Sequence, residues 1–435
     1  MITAVCALVL HADEQKNAFP RVEPLKGFGW ANFGQIVNSS GYNHPEFSWR
    51  HTWVENAFIG FKAGAALSPR LSGAIEMGFN LSPALPKPTD PATVEMLMLD
   101  FYVKLFTYLT EANFCFTPWP REHAPLALTI GQFKYRANPY VHNLGEYLLR
   151  GTVYPGLLVS GNDKLFYHSL LGAWAHSEAL FPLMQDLLVF SELDFKPYYD
   201  FSLAYVASAK IASIIDIGAG VNFYRLIPVE NRLTNPDDHI ARAKGQYRLY
   251  SYIDTAAGDT AFYSHRGIKL MARLALDFKP IFSTDIFGEN DLVLYSEAAL
   301  IGVKNYPVYY DTLAHRIPVM VGLNVPTFKL LDRLSVEVEW YGFRYLNDYI
   351  NTRDHMSPVP KQPDISDSTF DPAADDWKWS VKASRIFQLH FVIEASAAND
   401  HSRYSVLNPY FEEQTFTAFT SPDNWYFNLK FGFMF

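Results

Sequence analysis

The chain has 435 residues, 49% of them apolar and 16% aromatic against 19% charged, so it carries ample surface to bury and is not disordered. Charges interrupt every apolar stretch before the roughly 20 residues a membrane-spanning helix needs, and the richest stretch, 202–223, contains Lys210 and Asp216. A net charge of -9 lacks the basic footprint of a nucleic-acid partner, and two cysteines, Cys6 and Cys115, suggest neither a disulfide framework nor a metal or redox site.

At the amino terminus, an apolar run from Val5 to Leu10 precedes His11, Ala12 and acidic residues, which reads as the second half of an export signal without its basic start. Residues 1–12 are therefore expected to be a signal remnant and 13–26 a polar lead-in. Residues 27–435 are expected to form one domain.

From there on the main signal is period-two alternation, the spacing of strands and not of helices. Leu71, Gly73, Ile75, Met77, Phe79 and Leu81 alternate with Ser72, Ala74, Glu76, Gly78 and Asn80. Further along, Leu270 and Leu274 alternate with Lys269, Arg273 and Asp277, and Val336 and Val338 with Glu337 and Glu339. Trp377, Trp379 and Val381 alternate with Lys378 and Lys382. Strands are expected to begin near Phe28, Thr52, Arg70, Leu97, Leu126, Gly156, Leu165, Leu187, Ile214, Gly267, Leu292, Ile317, Leu334, Trp377, Phe391 and Asn424, sixteen in all. Connections at Ser68–Arg70, Asn162–Lys164, Phe328–Arg333 and Gln388–His390 are short, and those between are longer. Asp200–Ala212 does not fit that alternation of connections and is read as a short periplasmic helix or linker. If it is a strand, a further one is required and the total becomes eighteen.

A soluble sandwich also alternates. Strands of about ten residues with charged alternate positions and many aromatics fit an all-β, antiparallel up-and-down transmembrane barrel better, since a strand crosses a bilayer in about 9 to 11 residues. Charges in the membrane zone should then point inward, because Lys or Arg on the lipid face costs about 2 to 4 kcal/mol at the midplane. The expected lumen-facing set is Lys62, Glu76, Asp100, Lys104, Glu192, Asp194, Lys196, Lys269, Arg273, Asp277, Glu297, Glu337, Glu339, Lys378, Lys382, Glu394 and Lys430. Interleaved signs can also pair across strands and simply stabilise the wall. Trp30, Trp53, Trp340, Trp377 and Trp425 are expected in interfacial girdles, with a sugar-stacking track in the mouth as the alternative use of the aromatics.

The chain ends NWYFNLKFGFMF. Its alternating Trp425, Phe427, Leu429, Phe431, Phe433 and Phe435 resemble the carboxy-terminal signal by which Gram-negative outer-membrane barrels are recognised by the barrel-assembly machinery. The run LALTIGQFKYRANPY, followed by VHNLGEYLLRGTVYPGLLVSG and LFYHSLLGAWAHSE, resembles porins of the phosphate-selective and general kind, over about 50 residues. That resemblance implies an outer-membrane location with lipid as the surrounding partner, an inward-folded loop after Tyr135, and a constriction of Lys134, Arg136, Glu146 and Arg150. It also implies a homotrimer. It does not imply phosphate, because the presumed lumen carries both signs.

Catalysis finds no constellation. Asn399–Ser402 (NDHS) places neighbours on opposite strand faces, and His168 and His176 sit too far apart to share zinc. The aspartates at 364, 367, 371, 375 and 376 miss a calcium-loop spacing and read as a solvated loop. No cofactor and no enzymatic activity are expected. The function expected is passive diffusion of small hydrophilic solutes, with a structural or adhesion barrel of closed lumen as the alternative.

Overall fold

The computed structural model describes residues 19–39, 50–51, 53–82, 104–119, 125–149, 168–180, 182–191, 199–227, 249–254, 259–264, 266–282, 285–304, 313–340, 376–388, 390–400, 403–407, 413–417 and 423–434. The strands are β1 (Arg21–Val22), β2 (Lys26–Asn38), β3 (Trp53–Ser68), β4 (Leu71–Ser82), β5 (Lys104–Phe116), β6 (Leu126–Tyr135), β7 (His168–Leu180), β8 (Leu183–Ser191), β9 (Phe201–Ile211), β10 (Ile215–Ile227), β11 (Leu249–Asp254), β12 (Asp259–Ser264), β13 (Gly267–Asp277), β14 (Val293–Leu300), β15 (Val319–Asn324), β16 (Arg333–Trp340), β17 (Trp377–Phe387), β18 (Phe391–Asn399), β19 (Arg403–Leu407), β20 (Glu413–Thr417) and β21 (Trp425–Met434).

Sixteen of them, β2–β10, β13–β18 and β21, pair antiparallel with their neighbours, and β21 returns to β2 to close the circuit from Phe28↔Met434 to Asn38↔Trp425. Closure leaves no free sheet edge, the condition for a sheet to sit in lipid. β1 adds to the end of β3, while β11–β12 and β19–β20 are separate hairpins. Among the described residues, no helix is long and apolar enough to cross a membrane.

Connections alternate between the two ends. β3, β7, β9 and β17 are each followed by the next strand after two or three residues at one end, and 136–167, 228–266 and 341–376 connect strands at the other. The outward face is a continuous apolar belt that includes Ile59, Ile75, Met77, Ile130, Leu187, Ile217, Leu270, Leu274, Val321, Val336 and Leu429. Its rims differ. Trp53, Trp340, Trp377 and Trp425 sit at strand ends on the long-loop side, and Phe116, Phe387, Phe391 and Phe433 at the short-turn side.

Three expectations are corrected. Asp200–Ala212 is no helix or linker but contains β9, hydrogen-bonded to β8 and β10. Its mis-assignment followed from the strand expected near Gly156, which falls outside the described residues, as does the Asn162–Lys164 connection. β6 pairs directly with β7, so the circuit has no slot between them; removing that strand restores β9 to phase, and the total stays sixteen. The strand expected near Leu97 is described from Lys104 on, and 97–103 lie outside the described residues. Trp30 is not in a girdle. It shares the inward face with Asn32 and stacks on Phe58 at 5.6 Å, with the Lys430 ammonium 4.9 Å over its ring.

One local break positions the site. The β5–β6 ladder covers only Ala112–Phe116 against Leu128–Gln132, although β6 stays paired with β7 to Tyr135. Gly131 lies at the break with φ +120°, where a Cβ would meet the Ala112 carbonyl oxygen at 2.3 Å. Beyond it, side chains take over from the ladder: Gln132 Nε2 donates to Leu109 O at 2.6 Å, Ser169 Oγ donates to Thr110 O at 2.9 Å, and Lys134 pairs with Glu76. The chain leaving β6 thereby enters the lumen. Gly131→Val should cost about 1 to 3 kcal/mol through the forbidden φ alone, read as a lowered urea midpoint for folding into vesicles.

Candidate functional site

Residues 136–149 fold into the barrel. Val141, Leu144, Tyr147, Leu148 and Leu149 are buried there with inward side chains of the wall, Leu188 and Phe190 from β8, Met271 from β13, Tyr295 from β14 and Met320 from β15. Burial of each large side chain contributes about 1.5 to 3 kcal/mol as an upper figure. The lumen therefore contains a hydrophobic core of its own.

Polar groups fix the segment's orientation. Gly145 (φ +83°) and Glu146 (φ +60°) are both left-handed. Their backbone therefore does not continue a helix, and successive N–H groups turn towards wall carboxylates, as in anion-binding backbone nests. Glu337 accepts from the N–H of His142 (2.6 Å), Asn143 (2.9 Å) and Leu144 (2.9 Å), and from Tyr295 Oη (2.9 Å). Glu297 accepts from Glu146 N (3.1 Å), Tyr147 N (2.7 Å) and Asn138 Nδ2 (2.8 Å). Glu339 accepts from Tyr147 Oη at 2.9 Å and Gly145 N at 3.3 Å. Charge-assisted bonds of this kind are about twice as strong as neutral ones. Arg333 Nη1 lies 3.1 Å from His142 Nδ1, so that nitrogen is the acceptor and Nε2 carries the proton towards Asn324 Oδ1 at 3.2 Å. Tyr140 Oη donates to Asp216 (2.9 Å), which also binds Arg273 Nη1 (2.9 Å). All these anchors lie on β10 and β13–β16.

Of the expected constriction, Lys134 is the last residue but one of β6 and pairs with Glu76. Arg136 and Glu146 lie within the inward segment, 3.8 Å apart, with Arg136 also bonded to the Val141 carbonyl. Glu146 is tied inward, accepting from the N–H of Ala137 and Asn138 at 3.2 and 2.8 Å. Arg150 lies outside the described residues. Of the expected lumen set, Lys269, Arg273, Glu297, Glu337, Glu339, Lys378 and Lys382 are buried inside the barrel. Lys382 pairs with Glu394 at 3.0 Å, and Lys62 with Glu111 at 2.6 Å. Asp277 ends β13 on the same face as Lys269 and Arg273, 3.0 Å from Lys279 at the turn. Asp100, Glu192, Asp194 and Lys196 lie outside the described residues, as does the side chain of Lys104. In the terminal strand Trp425, Phe427, Leu429, Phe431 and Phe433 share the outward face; Phe435 is outside the described residues.

Sequence reading missed Asn138, Tyr140, His142, Asp186 and Asp216. Asp186 gathers Tyr135 Oη (3.0 Å), Trp174 Nε1 (2.8 Å) and His176 Nδ1 (2.7 Å) on the inner face of β6–β8. Its strand gave a weak signal because the inward positions beside it, Leu188 and Phe190, are apolar.

Opposite the seated segment, the wall from β3 to β7 borders an open chamber of about 420 Å³ lined by Lys62, Glu111, Asn113, Thr129, Lys134 and Trp174, among others.

An antiparallel barrel closed on itself, apolar outside and charged within, defines a transmembrane β-barrel of porin-like form. No family model and no curated protein matches the sequence. Among solved structures the chain is similar to a triple mutant of the Rhodopseudomonas blastica porin, at 7% identity over 95% of this chain and 100% of that one, with a TM-score of 0.45. It is also similar to Pseudomonas putida OprB, at 9% identity over 95% and 94% of the two chains, with a TM-score of 0.47.

Proposed function

We propose that this barrel lies in a bacterial outer membrane and passes small hydrophilic solutes by passive diffusion, through the part of the lumen that the inward segment leaves open. The observation that supports this reading is the asymmetry of the interior. Residues 137–149 are fastened to β10, to β13–β17 and to Asp400 after β18, while the β3–β7 wall keeps its chamber. A barrel used only as a scaffold has no need to hold its filling against one side. In this reading the segment narrows the passage, with Arg136 and Glu146 at its root, and no substrate is turned over. The outward strip ending in Phe433 serves lipid contact and, with Phe435, recognition by the barrel-assembly machinery. Assembly as a homotrimer follows from the porin resemblance.

Reconstitution into planar bilayers tests the proposal. Discrete, long-lived open steps are expected. A silent bilayer with correctly folded barrel, together with surface binding that depends on the outer loops, would favour an adhesion barrel instead.

A further inference from the structure

Building on the proposed channel, we propose that the chamber against β3–β7 is a binding recess for neutral, polyhydroxylated ring solutes, with Trp174 as its stacking surface. Space comes first. Gly64 and Ala74 face each other in the β3–β4 register, so the wall carries almost no bulk there. Part of that gap is taken by Glu23, whose carboxylate lines the chamber 2.8 Å from where a Cβ on Gly64 would lie.

Charge comes second. The ammonium of Lys62 is 2.6 Å from Glu111, and Lys134 pairs with Glu76. Both signs are thus presented side by side, and a solute ion of either charge meets repulsion as well as attraction. Hydroxyl groups gain from the same arrangement, since ammonium groups only donate and carboxylates only accept. Asn113 and Thr129 add neutral partners to the lining.

The indole supplies the remaining part. Trp174 is held by its N–H to Asp186 at 2.8 Å, meets Tyr135 edge-on at a centroid distance of 5.4 Å and rests against the tilted Phe133 ring at 5.8 Å. A solute stacks on the part of the indole that these neighbours leave to the chamber. A ring fixed before the solute arrives loses little side-chain freedom on binding. The C–H face of a sugar-like ring complements the negative face of an aromatic system, while its hydroxyls reach the ion pairs at the edge.

The test uses sucrose as the ring solute and sorbitol, at matched viscosity, as the open-chain polyol. In planar bilayers sucrose should reduce the open-channel current saturably and add current noise, and sorbitol should not. Trp174→Ala should raise the half-blocking sucrose concentration about tenfold, the loss of roughly 1.4 kcal/mol of stacking. A second readout needs no change in the recess. Cys115 lines the chamber, so in a Cys6→Ser protein sucrose should slow its reaction with a water-soluble thiol reagent severalfold, again without an effect of sorbitol. Normal open steps with no saturable block, or an identical block in Trp174→Ala, would overturn the recess and leave the channel standing. If wild type shows no open steps, the channel reading fails. Thiol protection in the folded, detergent-held barrel then decides the recess alone, as it does if Trp174→Ala does not assemble; absence of protection overturns it.

Discussion

Glu337→Ala should release the inward segment from the wall. The carboxylate accepts from three consecutive backbone N–H groups and from Tyr295 Oη, and it is buried. Removing one partner of such a buried, charge-assisted set costs about 3 to 5 kcal/mol. The cost is local, because the ladders around the barrel do not run through Glu337's side chain. Once it exceeds the opening free energy of the segment, the segment lifts and water satisfies its donors, while the wall persists. Limited proteolysis of the folded protein should therefore cut between residues 137 and 149 in the variant and spare the wild type, with far-ultraviolet circular dichroism unchanged. On the proposed channel function, the unitary conductance should rise. Glu337→Gln keeps one acceptor oxygen and should fall between the two. Equal protection of all three proteins would remove Glu337 as the anchor.

The physics that made the fold legible is the same that hid the anchor's partners. A barrel strand must alternate between two solvents, so Lys269, Arg273, Glu337, Glu339, Lys378 and Lys382 announce the inward face by their spacing alone, and the structure places each of them inside. Strand count came through for a weaker reason: β9 was missed and a strand near Gly156 was supposed, and each disturbed the alternation of connections in a way that cancelled the other. Trp30 was misread because composition cannot distinguish an aromatic that meets the headgroup layer from one that stacks inside on Phe58. The seat of residues 137–149 was harder still. It pairs backbone donors of one segment with carboxylates from strands about 150 to 195 positions further on, and no local pattern records such a pairing. The apolar inward residues Leu188, Phe190, Met271 and Met320, buried against that segment, blurred the alternation there; they mark where the lumen stops being wet.

Val321→Arg and Trp377→Arg should differ in a way that identifies the outer solvent. Both side chains are exposed to a similar degree, 47% and 53%, so in a water-soluble barrel both replacements would fall within about 0.5 kcal/mol of neutral. In a bilayer, depth decides. Val321 lies in the middle of the β14–β16 ladders, opposite Ser296 and Val338, and an Arg there meets hydrocarbon with no inner-face carboxylate within reach. Its expected penalty is about 2 to 4 kcal/mol, whereas Trp377 opens its strand at the long-loop rim, where the penalty falls to about 0 to 1 kcal/mol. Urea-dependent folding into phosphatidylcholine vesicles measures both, and a gap of at least about 1 kcal/mol is expected between them. The inward neighbour supplies the internal control, since Lys378 already carries a positive charge one residue from Trp377, facing the other way. Equal and negligible penalties at both sites would mean that water, not lipid, surrounds the apolar belt, and both the channel and the recess would then lose their setting.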